Sequence, residues 1–453
     1  MNDPTTGRRT APWPHAFLLL LALLQLALVP LLGGRDVELA PLFRVDSLGL
    51  LFGTAWTLTL AAISLPLARQ GKIRKIGLYL GIVGVLFVVC AYAQNMAVLA
   101  ASGALAAVGI WAIQHDLRES RKPHWRIEAA ISPAIVVIVL AITTGLPEFA
   151  PPAGGVAAPW RAVAAMAGVL VVASGIGWGL LGARQPAGSD GEGEERTALP
   201  ALYALATSYI LAKMLVAAPW DALGAWLLVL LGTLVLLAGV YIAYTAQGRQ
   251  RTKAFACALV GVSLTGFGIA ANSPLAAAGA VWVLLAGLLW LAGRGWRGAE
   301  VTAILAVLPG LWMVSQAALD TGYGTVAALL LPSYVLLAAL VTSGAPRPYP
   351  AWRWWGFVPV PLAVVATAMP QIVEETLVRP AVRTLAGGVG ALTSLAVDWG
   401  LGMLVRTSQG TTPAALPATG IALAVFLAAV ALYWLKQLAR NFERPTGGEA
   451  QGE

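Results

Sequence analysis

The segment LGTLVLLAGVYIAYTAQGRQRTKAFACALVGVSLTGFG, residues 231–268, reads as an apolar run, a short turn carrying Arg249, Arg251 and Lys253, and a second apolar run. Each run approaches the roughly 20 residues that a helix needs to cross a bilayer. Backbone polar groups in hydrocarbon need partners within their own segment, and long continuous runs supply them as helices rather than as barrel strands. The rest of the chain repeats this pattern. With 58% hydrophobic and 11% charged residues over 453 positions, it carries more apolar surface than a soluble core hides. The fold class is all-α: a polytopic membrane protein forming a single integral membrane domain over 1–453.

Apolar runs fall at 16–33, 47–66, 76–93, 95–113, 128–146, 161–183, 199–219, 222–246, 254–271, 275–293, 300–319, 323–342, 356–373, 385–405 and 416–436. Basic residues orient them. Arg8 and Arg9 precede the first run, and alternate connections carry Arg69, Lys72, Arg74 and Lys75, then Arg118, Arg121, Lys122 and Arg126, then Arg249, Arg251 and Lys253, then Arg294 and Arg297, then Arg347 and Arg353. Such loops face the cytoplasm, so the net charge of +8 is a topology signal and implies no nucleic-acid partner. Lys436, Arg440 and Arg444 place the C-terminus on the same side, which requires an even number of crossings. The Gly-rich run at 385–405 is therefore read as a lateral or interfacial helix spanning 384–406, leaving about 14 spans. That assignment leaves Arg379, Arg383 and Arg406 on the non-cytoplasmic side, against the charge rule. A cytoplasmic tail at 1–15, a polar cytoplasmic loop at 184–198 and a tail at 440–453 complete the layout, in a multi-pass protein of the cell's cytoplasmic membrane. The Arg8-Arg9 pair heads an uncleaved first span, since no small-residue cleavage site follows it.

Ionisable residues at membrane depth are costly, and each is a candidate for function. Lys213 lies inside YILAKMLVAAPWD, residues 209–221, which Asp221 closes; Asp46 opens the second run, Asp320 closes another, and Glu374 with Glu375 closes the run at 356–373. Lys213, Asp221, Asp46, Lys253 and Glu374 are the ion-pathway candidates. For all but Lys213, an interfacial or capping role competes with function. Lys213 has its own alternative, snorkelling along its helix to the outer interface. Glu374 and Glu375 are adjacent, so on a helix they point about 100° apart and do not share one proton site. Cys90, Cys257, His15, His115 and His124 have no metal-ligand spacing. No metal, cofactor or catalytic constellation is expected. The 17 tryptophans, including Trp111, Trp160, Trp220, Trp296, Trp352, Trp354 and Trp355, read mostly as an interfacial belt. Pro309-Gly310 and Pro332-Ser333 either break helices around a path or are tolerated kinks.

Four stretches together resemble the antiporter-like membrane subunits shared by respiratory complex I, membrane-bound hydrogenases and multisubunit cation/proton antiporters. FRVDSLGLLF at 43–52 resembles the family's apolar-Asp-Pro/Gly-Leu-Ser-Leu helix opening, and YILAKMLVAAP its Tyr-Leu-Leu-Ala-Arg-Leu-x-Pro helix end. Residues 231–268 resemble its span, basic turn and Ala-Tyr-Ser-x-x-Ser-x-x-Gly helix. LPGLWMVSQAALDTGYGTVAALLLPSYVLLAALV resembles its Pro-Pro-Leu-x-Gly-Phe helix and successor. The resemblance implies two inverted five-helix repeats, a C-terminal lateral helix, and ion translocation within a larger assembly. It also implies relay positions, and these are empty here. The Trp-Glu site meets Gly103 or Ala104; the first buried lysine meets ASGIGWGLL; the second meets Leu205 or Ala206; the late Lys or Glu meets Leu311 to Met313. Lys213 takes the place of the helix-end arginine.

Three functions follow in rank. The first is an antiporter-like subunit of an NADH-quinone oxidoreductase-like or related ion-translocating complex, structural or weakly translocating, and at most non-catalytic. The second is a stand-alone transporter or antiporter using another polar path, moving protons or sodium ions. The third is a membrane enzyme acting on a lipid-linked substrate. Partners are the bilayer and, for the first, other membrane subunits.

Overall fold

The computed structural model describes residues 13–32, 37–40, 42–69, 73–118, 131, 134–135, 138–139, 168–176, 195–217, 222–245, 249–270, 272–293, 297–342, 373–378 and 380–382. Within them the chain forms ten α-helices. The first four are α1 (Trp13–Leu32), α2 (Ser47–Arg69), α3 (Ile73–Tyr92) and α4 (Met96–Arg118). After a helical stretch at 168–176 come α5 (Glu195–Ala217), α6 (Ala222–Thr245), α7 (Arg249–Ile269), α8 (Pro274–Ala292), α9 (Arg297–Asp320) and α10 (Gly324–Thr342). Six of these, α2, α4, α6, α8, α9 and α10, are long and apolar enough to cross a membrane; α1, α3, α5 and α7 carry shorter apolar stretches. The protein is an all-α, multi-pass membrane protein. The runs at 385–405 and 416–436, with the lateral helix and the C-terminal tail, lie outside the described residues.

Two boundaries differ from the sequence reading. α1 starts at Trp13, inside the segment read as a tail, and α5 starts at Glu195, inside the segment read as a loop. One element escaped the sequence reading. A small antiparallel hairpin, β1 (Val37–Ala40) and β2 (Phe43–Val45), joins α1 to α2 and pairs Val37 with Val45 and Glu38 with Arg44. Phe43 also bridges to Ala93, and the Gln94 N–H donates to the Leu42 carbonyl at 2.9 Å. The hairpin thus satisfies backbone groups where α3 hands over to α4.

Apart from α5 and α6, helices adjacent in sequence pack against each other, and α5 and α8 tie the two halves: α5 touches α2, α4 and α7, and α8 touches α2 as well as α7 and α9. Small residues permit this. A methyl group on Gly232 of α6 would lie 2.5 Å from the Thr265 nitrogen of α7, and one on Gly261 would lie 2.6 Å from the Leu236 nitrogen. The two backbones are in contact, the packing that dispersion favours where no hydrophobic effect separates helix from lipid. Gly279 of α8 meets the Gly310 carbonyl of α9 in the same way, at 2.6 Å.

Gly310 follows Pro309, yet α9 runs unbroken from Arg297 to Asp320, and α10 runs through Pro332. The prolines are tolerated within continuous helices. Several tryptophans also depart from an interfacial belt: Trp56, Trp282 and Trp290 are buried in the bundle. Trp282 donates its indole N–H to the Ala306 carbonyl at 2.7 Å, a partner that lets a polar aromatic serve as core.

Candidate functional site

Asp46 sits immediately before α2, at the position where a side-chain acceptor completes a helix N-terminus. Its Oδ1 accepts the Gly49 N–H at 2.5 Å, and its carbonyl accepts the Leu50 N–H at 3.0 Å. The capping role is therefore filled. The other carboxylate oxygen does something further: Oδ2 lies 2.5 Å from Nζ of Lys213, 167 positions away on α5. The side chains of Lys213 and Asp46 keep only 6% and 2% of their accessible surface. Lys213 does not snorkel. A charge with a buried partner has no need to reach water.

The surroundings hold the pair in place. Tyr209, one turn before Lys213, sets its ring centroid 5.9 Å from Nζ, within cation–π reach. Its hydroxyl donates to the Ala91 carbonyl at 2.7 Å, while its ring packs 4.8 Å from both Phe52 and Trp56. Below the ion pair the bundle is thus aromatic and closed. Gly49 is needed for the approach: a methyl group there would lie 2.6 Å from the Ala91 carbonyl, 2.9 Å from the Asp46 carboxylate and 3.0 Å from the Tyr92 ring.

A second polar group adjoins the first. The Tyr92 hydroxyl donates to Oε1 of Gln25 at 2.9 Å; Nε2 of Gln25 donates to the Thr57 hydroxyl at 3.3 Å and to the Leu21 carbonyl at 3.2 Å. Gly53 makes room, since a methyl group there would overlap the Gln25 amide oxygen. Further along the same two helices, Nδ1 of His15 contacts the Ala61 carbonyl at 2.9 Å and the Ser64 hydroxyl at 3.4 Å. Sequence reading left Gln25, Thr57, Tyr92 and Ser64 unmarked. The available signal was the rarity of His15 and Gln25 in an otherwise apolar α1.

Of the other candidates, Lys253 is buried near the start of α7, one turn before Cys257. Asp221 lies outside the described residues, as does the side chain of Glu374, whose backbone opens a single π-helical turn, Glu374–Val378. Asp320 closes α9 with an exposed side chain. Among the described residues no three His, Cys, Asp or Glu side chains converge as metal ligands.

At Gly103, Leu205, Ala206, Leu311 and Met313 the positions that the resemblance marks for a relay hold no polar side chain, whereas in ASGIGWGLL a methyl group on Gly175 would lie 2.5 Å from the Thr207 hydroxyl. A methyl group on Gly103 would already lie 2.7 Å from Cδ1 of Ile210. Leu205 and Ala206 are buried, Leu205 against Gly287, and Leu311 and Met313 are fully enclosed. Of the segment ASGIGWGLL, the part within 168–176 is helical, with Ser174 donating to the Val171 carbonyl at 2.7 Å; the remainder lies outside the described residues.

No family model matches the sequence, and no curated protein matches it. Solved structures do match. A chain from the structure of the Mrp complex of Dietzia sp. DQ12-45-1b superposes with a TM-score of 0.74 at 14% identity, over 97% of this chain and 55% of that one. The protein therefore spans only about half the length of that relative. A chain of respiratory complex I from Thermus thermophilus gives 0.63 at 17% identity, covering 83% of this chain and 98% of its own. A chain of the membrane-bound sulfane sulfur reductase, an archaeal respiratory membrane complex, gives 0.61 at 13% identity, covering 83% and 74%. The common property is the fold, the antiporter-like membrane fold that the sequence motifs resemble.

Proposed function

We propose that the chain is an antiporter-like membrane subunit of a multisubunit ion-translocating assembly, of the kind that includes NADH-quinone oxidoreductase-like complexes, in which the bundle axis no longer conducts. The fold supports the first half of this reading, because each solved counterpart comes from a multisubunit membrane complex. The second half rests on one observation, the filling of the relay positions: Ile210 stands against Gly103 where a carboxylate would need space. A relay requires titratable groups, and Gly103, Leu205, Ala206, Leu311 and Met313 supply none. In this reading Asp46–Lys213 pins α2 to α5, and the segments at 384–406 and 440–453 form a lateral helix and a cytoplasmic tail. Both termini face the cytoplasm. Co-purification of the tagged full chain in mild detergent, with mass spectrometry of the bound proteins, tests the reading. Other antiporter-like or redox subunits are expected in stoichiometric amounts; isolation of the chain alone in several mild detergents overturns it.

The buried ion pair favours a second reading, a stand-alone transporter whose path includes Lys213 and Asp46, because ionised pairs at membrane depth so often lie on ion pathways. Sodium or proton flux in vesicles containing the isolated protein, lost in Lys213→Ala, is the outcome that would select it.

A further inference from the structure

The two sides of α6 differ in kind. Trp226, Leu230, Leu234, Leu237, Tyr241 and Tyr244 follow one another at steps of four, four, three, four and three residues, which is one side of a helix, and each keeps between 37% and 68% of its surface. Gly232 and Gly239 lie on the other side, against the backbone of α7. Helices in a bilayer pack closely through such small residues, so the glycine side suits a helix and the leucine side suits acyl chains. From Trp226 to Tyr244 the helix rises about 27 Å, close to the thickness of a bilayer core. Its aromatic ends thus stand at the level of the headgroups, which such rings favour. In charge the two ends are opposite. Asp221 immediately precedes α6, whereas Arg249, Arg251 and Lys253 follow its tyrosine end. Lys253 is buried in the bundle. Arg251 stands three and seven residues before Ala254 and Ala258, the residues of α7 that meet Gly239, so its place in the register is on the side of α7 next to α6.

We propose that the tyrosine end of α6 binds an anionic phospholipid, with its acyl chains along Leu230, Leu234 and Leu237 and its phosphate at the basic turn before α7. A guanidinium and a phosphate pair through two parallel N–H···O bonds, and the phenols of Tyr241 and Tyr244 are donors for phosphate and ester oxygens. A zwitterionic headgroup brings its own cation beside the phosphate, which arginine repels. At the Asp221 end a carboxylate repels an anion. One leaflet and one headgroup charge are therefore preferred. A bias of positive charge toward one side of the membrane accounts for the arginines, but not for the bare leucine and tyrosine side beside them. The inference rests on α6 crossing the bilayer. It adds to the subunit reading by leaving this side of the chain to lipid and neighbouring subunits to the others.

A photoreactive benzophenone amino acid in place of Leu234, and in a second variant in place of Leu237, tests the site in the full chain within the membrane of the cells that produce it. Mass spectrometry of the irradiated and purified chain identifies what is attached. Phospholipid adducts are expected, with anionic headgroups exceeding their share of the membrane lipid by roughly fivefold or more. Arg249→Gln with Arg251→Gln should bring that ratio down to the bulk value, and lysine at both positions should keep most of it. Arg294→Gln with Arg297→Gln should leave it unchanged, since those residues join α8 to α9 while α6 packs on α7 and α10. Adducts of bulk composition overturn the proposal, as does an enrichment that survives the glutamine pair. A protein adduct at either position also overturns it and makes this side of α6 a subunit interface. That last outcome would strengthen the subunit reading, and a chain that purifies alone would leave the lipid adducts untouched, so the two readings fall separately.

Discussion

At Lys213 the deciding quantity is the difference between a buried charge with a partner and one without. Removing one member of a buried ion pair leaves the other desolvated and typically costs about 3–5 kcal/mol, whereas replacing both with apolar groups of similar volume is often close to neutral. Lys213→Ala and Asp46→Ala should each therefore lower stability by several kcal/mol. Asp46→Leu combined with Lys213→Met should be less destabilised than the sum of its singles, a coupling that a double-mutant cycle of unfolding in detergent measures. Additivity within about 0.5 kcal/mol would mean that the pair is not formed in the membrane. Asp46 also caps α2, so its single substitutions should exceed those of Lys213 by about 1 kcal/mol. Gly49→Ala tests the enclosure of the same site. With the Ala91 carbonyl 2.6 Å from the added methyl, a loss of about 1–3 kcal/mol is expected from thermal unfolding. Both partners stood out in the sequence as charges in or beside apolar runs. Their pairing did not, because nothing local to position 46 refers to position 213.

At the scale of elements, the helices were legible from length and apolarity, while their contacts were not. A helix that is apolar on every side does not show which face meets protein and which meets lipid. Residues 231–268 illustrate the limit. The two runs and their basic turn are α6 and α7, yet the face on which Gly232 meets Gly261 emerges only when the backbones are brought together. Gly261→Val would put a branched side chain into the Leu236 backbone. The expected outcome is separation of α6 from α7, seen as protease sensitivity between the two helices and a lower unfolding temperature. Gly322, in the positive-φ turn between α9 and α10 with open space around it, should by contrast tolerate Asn better than Val. The hairpin at 37–45 was missed for a different reason: four- and three-residue strands are too short for alternation to register between two apolar runs.

For the molecule as a whole, the question is whether a missing relay is a matter of chemistry alone or also of space. If the path had lost only its titratable groups, restoring one would restore a foothold for protons. Gly103→Glu should not do so, because Ile210 occupies the volume that the new side chain needs. The expected result is a destabilised protein with no added flux in reconstituted vesicles. Gly103→Glu with Ile210→Ala should relieve the clash yet stay less stable than the wild type, because the carboxyl is still buried without a partner, and should not recover conduction. Flux gained by Gly103→Glu alone would show that water reaches the core and that the packing is looser than these contacts imply.

Hydropathy and charge placement, read from sequence alone, were sufficient for an all-α membrane protein, for most helix positions, and for Lys213 and Asp46 as residues of interest. Each of these depends on free energies that a residue carries into the bilayer wherever its neighbours lie. The tertiary structure decided that Lys213 meets Asp46, that Gln25 and His15 face α2, that Trp56, Trp282 and Trp290 are core, and that Pro309 leaves α9 intact. These are properties of packed faces. In a uniformly apolar helix the rotation about its own axis is set by the helices beside it, and that information is spread over residues far apart in the chain.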